Sequence, residues 1–247
     1  MAQVECVSSR YLLLAVVLAA GSAPLDAQTF DAAADFSKDF NTAVTLWSYR
    51  YKNNVIRDGN YSLLPAYGDG DGDWTPNDPG AWTLNNTVPE LGVNRSAGDV
   101  FYASGPLFTW PRDAMLVHPG VDQLVLVSWL SPTATLLNIS FSFSDLDPNG
   151  GNGIRWFVEK NNANSTIRSG TLGNGSVSGT QTVTGLSVVP GDRINFIVDP
   201  NGEYSFDSTK IAASITIVPE PSVVGLFAGA ALKILALRRP ARLGANA

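Results

Sequence analysis

Residues 137–144 read Leu-Asn-Ile-Ser-Phe-Ser-Phe-Ser, placing Leu137, Ile139, Phe141 and Phe143 on one side of an extended chain and Asn138, Ser140, Ser142 and Ser144 on the other. A period of two does not fit one face of a helix, which repeats about every 3.6 residues, so the segment is committed to a strand with one apolar face to bury. The pattern returns at 210–217, where Ile211, Ala213, Ile215 and Ile217 share a face. Between the two lie QLVLVSWL, GIRWFVEK and RINFIVD, each bounded by turn-forming SP, DPNGGNG, PGD or DPNG. Short strands at even spacing with Gly, Pro, Asn and Asp between them predict an all-β, jelly-roll-like antiparallel β-sandwich.

Composition agrees with that reading: charged residues make up 15% of the chain and hydrophobic ones 45%, a turn-rich balance with enough apolar surface for a core. Neither a long amphipathic helix nor a Pro- or Ser-rich linker divides residues 28–217, which therefore read as one sandwich domain. Within it, 52–118 is richer in Gly, Pro, Asn and aromatics and weak in periodicity, and predicts long loops with a few strands.

The two ends read differently. Arg10 precedes the apolar run YLLLAVVLAAG, and small Ala27 stands before a cleavage point at Gln28, so 1–27 reads as a signal peptide with a signal helix. The run is about 11 residues long, against roughly 20 for a bilayer span. Cys6, the single cysteine, lies in the segment that would be removed, leaving a mature chain without disulfide or thiolate. Residues 28–217 hold 11 Lys and Arg against 19 Asp and Glu, a balance of 11 − 19 = −8 with no basic cluster, which argues against nucleic acid as a partner.

Chemistry is harder to find. A catalytic nucleophile needs a base beside it, and the only histidine, His118, stands in LVHPG with no Gly-x-Ser-x-Gly or Ser-x-x-Lys motif to serve, so it reads as a turn residue. A glycosidase needs two paired carboxylates. The glutamates of the domain, Glu90, Glu159 and Glu203, show no pairing by spacing. Two acidic loops offer hard oxygens to a cation: GDGDGDW, with Asp69, Asp71 and Asp73, and DLDPNGGNG, with Asp145, Asp147, Asn149 and Asn152. Each reads either as a calcium loop or as a plain acidic turn. Trp47, Tyr49, Trp74, Trp82 and Trp110 are candidates for stacking on sugar rings, with packing in the core as the alternative; Trp129 and Trp156 read as core.

The C-terminal segment 218–247 contains Val-Pro-Glu-Pro-Ser, an apolar run at 223–237 interrupted by Lys233, and then Arg238 and Arg239. The run is shorter than the roughly 20 residues a permanent span requires, and arginines after an apolar stretch behave as a stop-transfer element. Pro219, Glu220 and Pro221, the hydrophobic helix of 223–237 and the Arg238–Arg239 pair, in that order, resemble the PEP-CTERM sorting signal of bacterial exported proteins. That resemblance implies recognition by an exosortase-type membrane protease, transient anchoring in the inner membrane, and arrival at the cell surface or an extracellular polysaccharide matrix. Residues 115–217 also resemble, in LVHPG, DLDPNGGNGI, VVPGDRINFIVDPNG and YSFDSTKIAASITI, the jelly-roll domains attached to such tails, which are similar in outline to carbohydrate-binding modules. The expectation is a non-enzymatic exported protein associated with extracellular polysaccharide, with a glycan-active hydrolase or lyase and a ligand-free structural envelope component as alternatives.

Overall fold

The alternation at 137–144 becomes the spine of the molecule. The structure, a computed structural model, describes residues 27–68, 79–102 and 107–219. The signal helix expected within 1–27 falls, but for Ala27, outside these residues, as does the hydrophobic helix of 223–237. In chain order the strands are β1 (Thr29–Asp31), β2 (Trp47–Asn53), β3 (Ser62–Leu63), β4 (Ala66–Gly68), β5 (Ala81–Thr83), β6 (Glu90–Val93), β7 (Val100–Tyr102) and β8 (Phe108–Trp110). They continue with β9 (Met115–His118), β10 (Gln123–Leu130), β11 (Thr135–Asp145), β12 (Ile154–Lys160), β13 (Thr166–Leu172), β14 (Gln181–Val188), β15 (Arg193–Asp199) and β16 (Thr209–Val218).

Two antiparallel sheets form a sandwich. One runs β14-β11-β16-β9-β6-β5-β4, with β1 added beside β16; the other runs β13-β12-β15-β10-β2-β3. In the first, β11 and β16 pair so that Leu137 faces Ile217, Ile139 faces Ile215, Phe141 faces Ala213 and Phe143 faces Ile211. The apolar side chains of both strands thus emerge on one face, and the small Ala213 makes room for the Phe141 ring. Phe141 then meets Phe196 edge-on with ring centroids 5.9 Å apart, and Phe143 stacks on Trp156 at 5.0 Å. Both partners belong to the opposite sheet, so these contacts are the sandwich closing.

The strands β10 and β15 lack clean alternation because both of their faces are covered. Val125, Val127 and Trp129 of β10 join the central core with Ile194, Phe196 and Val198 of β15, while Leu124, Leu126 and Ile197 form a second cluster under Tyr61 and Val55. A short continuous apolar run is what a strand buried on both sides requires.

The region 52–118 departs from expectation. Among its described residues are seven short strands, β3 to β9, more than the few expected, of which β4, β5, β6 and β9 extend the first sheet. None exceeds four residues. A strand that short holds its place by backbone pairing to neighbours and shows almost no side-chain period.

The core contacts predict a sharp contrast within β11. Phe141→Ala should cost about 3–5 kcal/mol in denaturant unfolding, because it opens a cavity between the sheets. The outward-facing Ser142→Ala, one position on, should change stability by less than about 0.5 kcal/mol.

Candidate functional site

Two places in the sandwich gather residues suited to binding. The first is a cleft of about 460 Å³ beside β1 and β2, with Phe30, Phe40, Leu46, Trp47 and Tyr49 along it and Asp35, Ser37 and Thr45 among its polar lining. Its wall is the irregular segment 32–46, held by side chains that substitute for strand pairing. Asn41 accepts from the amide of Tyr49 at 2.9 Å and donates to the carbonyls of Tyr49 at 2.8 Å and Leu64 at 2.9 Å. The Ser37 hydroxyl accepts from the amides of Asp39 and Phe40, and the Ser37 amide donates to the Tyr49 hydroxyl at 2.8 Å. These local turns leave Phe40 65% exposed and Leu46 40% exposed, an apolar lip beside buried aromatic rings.

The sequence-predicted aromatics therefore separate. Trp47 and Tyr49 border the cleft, although most of each ring is core: Tyr49 is fully enclosed, and burial pushes its hydroxyl up to about 12. Trp82 and Trp110 are not a platform. Their indole N–H groups donate to the carbonyls of Ser37 and Ala114, both at 2.8 Å, and their rings are buried. An amphipathic ring whose one polar atom is satisfied inside has both ends committed to packing. Trp74 lies outside the described residues, as do Asp69, Asp71 and Asp73.

The second place is one end of the sandwich, where β11 runs out and β16 begins. Asp145 closes β11 opposite Thr209 of β16. Its Oδ1 accepts the amide of Asp147 at 2.8 Å, and Asp147 Oδ2 accepts the amide of Ser208 at 2.7 Å. A further carboxylate, Asp207, adjoins Ser208 in the segment leading into β16, and all three acids are buried. Glycines explain how the two loops come so close. A Cβ on Gly151, which has a φ of +78°, would stand 2.5 Å from the Ser205 carbonyl, and one on Gly150 would meet the Phe206 ring at 2.7 Å. Phe206 itself is held in the left-handed region at φ 65°, a conformation a bulky residue keeps only when its surroundings fix it.

Asn149 and Asn152, expected with these acids, are instead exposed. Asn152 donates to the carbonyl of Asn201 at 3.0 Å, tying the loop after β11 to the loop after β15. Asp207 was not singled out by sequence reasoning. The available signal was the polar segment FDST directly ahead of an apolar-alternating strand. Burial, and then the charges of Asp145, Glu203, Asp147 and Asp199, push Asp207 up to about 8; burial pushes Asp145 up to about 6.

Of the three glutamates of the domain, Glu90 opens β6, Glu159 lies on β12 and Glu203 lies in the loop between β15 and β16. Glu159 is fully buried on the outer side of β12, where Oε1 accepts the Tyr61 hydroxyl and Oε2 accepts Arg57 at 3.1 Å. The Arg57 guanidinium also lies 3.6 Å over the Phe157 ring. This knot straps the segment after β2 onto the second sheet. His118, expected in a turn, is instead the last residue of β9, paired with Glu90 of β6, with Nδ1 2.8 Å from the Pro119 carbonyl.

No family model and no curated protein matches the chain. Among solved structures there is distant similarity to the enzymatically active domain of bacteriophage CBA120 tailspike protein 4, covering 74% of this chain and 20% of that one, at 7% identity and a TM-score of 0.32. The carbohydrate-binding module CBM36 in complex with calcium and xylotriose is similar over 50% of this chain and 90% of its own, at 12% identity and a TM-score of 0.25. The family 11 carbohydrate-binding module of a cellulosomal cellulase from Clostridium thermocellum is similar over 63% and 95%, at 15% identity and a TM-score of 0.25.

The raised carboxyls set a pH dependence. Because the fold disfavours their charged forms, the folded state holds these protons more tightly than the unfolded chain, so this contribution is full below pH 4 and is lost as pH rises through about 6 and about 8. The groups facing Asp207 are the carboxylates of Asp145, Glu203, Asp147 and Asp199, with His118 beyond Asp147. Thermal melts in chelator should show Tm falling between pH 5 and 8.5, with a shallower fall in Asp207→Asn.

Proposed function

We propose that the chain is a non-enzymatic exported protein that associates with extracellular polysaccharide, its jelly-roll-like sandwich presenting the cleft beside β1 and β2 to the glycan. The observation that carries the reading is that cleft: about 460 Å³, bordered by Trp47, Tyr49, Phe30 and the exposed Phe40, with Asp35, Ser37 and Thr45 nearby. Its size is that of an ordinary ligand site. Sugar rings present apolar C–H faces that pack on aromatic carbon, and their hydroxyls bond the carboxylate and hydroxyls of such a lining.

The destination in this reading comes from the ends of the chain. The order of Pro219, Glu220 and Pro221, the apolar run 223–237 and Arg238–Arg239 supports export, processing by an exosortase-type protease and release to the cell surface or matrix. The membrane is then only a waypoint.

Retardation of the full chain in native gels containing a panel of polysaccharides tests the glycan. At least one should retard it, and Phe40→Ala, at a side chain 65% exposed, should weaken that interaction about tenfold without changing the melting temperature. Absence of retardation by every polymer, or an unchanged Phe40→Ala, would sink the proposal. Reducing ends or unsaturated sugar released during the assay would favour a hydrolase or lyase. Mass spectrometry of the protein recovered from its host should find a mature N-terminus at Gln28 and a C-terminus near Pro221; an intact 247-residue chain would defeat the sorting reading.

A further inference from the structure

We propose that Asp145, Asp147 and Asp207 form a calcium site that pins the loop after β11 to the segment entering β16. The proposal is independent of the glycan cleft. Its observation is an incomplete set of bonds: Asp145 Oδ2, Asp147 Oδ1 and both carboxylate oxygens of Asp207 are buried without a hydrogen-bond partner. Asp207 is 0% exposed, and none of the three acids has an ion-pair partner among the described residues. Nearby Asp199 shows what a balanced acid looks like in this fold, since Arg155 Nη2 donates to both of its oxygens at 2.9 Å. Buried carboxylates are ordinarily paired or metal-bound, because an ion without a counter-charge costs far more to bury than its packing returns.

The backbone holds these acids together from both sides. Asp147 Oδ2 accepts the amide of Ser208, the residue after Asp207, and the amide of Leu146 donates to the Ser208 carbonyl at 2.8 Å. The close approach over Gly150 and Gly151 and the left-handed Phe206 fix Asp207 at this junction. Strain of this kind persists where the surroundings over-determine a position.

The donor set selects the ion. All three groups are carboxylates, with no sulfur and no histidine nitrogen bonded to them, which suits a hard cation and disfavours zinc. Among the described residues no three His, Cys, Asp or Glu side chains are so placed that they could hold a metal ion as they stand, so binding requires the three carboxylates to turn toward one another. Calcium accommodates this, taking about six to eight oxygens in flexible geometry and filling its shell with main-chain carbonyls and water, whereas magnesium demands a tight octahedron.

The test uses the full chain, stripped with EDTA, desalted, and melted with and without calcium chloride at about 100 times the measured Kd. The wild type should melt about 5–10 °C higher with calcium, the shift that this degree of saturation gives a domain of this size. Asp207→Asn should lose that response and, since it replaces a carboxyl group that has no hydrogen-bond partner, should melt no lower than the wild type in EDTA. Asp71→Asn, in the other acidic loop, should keep the full response. Calcium uptake by equilibrium dialysis provides a second readout should Asp207→Asn fail to fold: about one bound ion per wild-type chain, with magnesium competing poorly. No uptake by the wild type, or an equal calcium response in wild type and Asp207→Asn, overturns the proposal.

Discussion

The packing of the β11–β16 face against the opposite sheet is the constraint on which the rest depends. Leu137, Ile139, Phe141 and Phe143 stand opposite Ile217, Ile215, Ala213 and Ile211, and this double row meets Trp156 and Phe196 across the sandwich. No disulfide lies in 28–217 to substitute for that contact. The hydrophobic effect over this interface therefore has to offset most of the conformational entropy of ordering the strands.

Both candidate sites are by-products of how this core is finished at its margins. Beside β1 the sheet is completed by the irregular segment 32–46, fastened through Asn41, Ser37 and Asp31 to backbone groups, and the gap beneath it is the cleft. At the end of β11 the two DPNG turns, 147–150 and 199–202, fall on the same side of the molecule and are joined by Asn152 to Asn201. That junction brings the buried acids together.

The strands with one wet face were legible as residues: the alternation at 137–144 and 210–217 sets which side chains enter the core, and all of them but Ile217 are buried. The short strands of 52–118 were less legible, because two to four residues cannot display a period, and their existence is decided by neighbours. The aromatics illustrate the same divide. Trp47 and Trp82 are both buried with their indole N–H groups bonded, to Asp35 Oδ2 at 3.3 Å and to the Ser37 carbonyl at 2.8 Å, yet only Trp47 borders the cleft.

At the acidic end, sequence spacing grouped Asp145 and Asp147 with Asn149 and Asn152, because a single loop is all that spacing can see. The fold replaced the two asparagines by Asp207, some sixty positions along the chain, through the bond from the Ser208 amide to Asp147. What the sequence determined by itself is the class of the protein: period-two apolar faces, turn-rich joints, a net acidic domain, and ends that look like export signals, all properties of local composition and order. What tertiary structure alone decided is which polar groups end up enclosed and which aromatic faces stay reachable. Burial is a property of two segments meeting, and neither segment carries it alone.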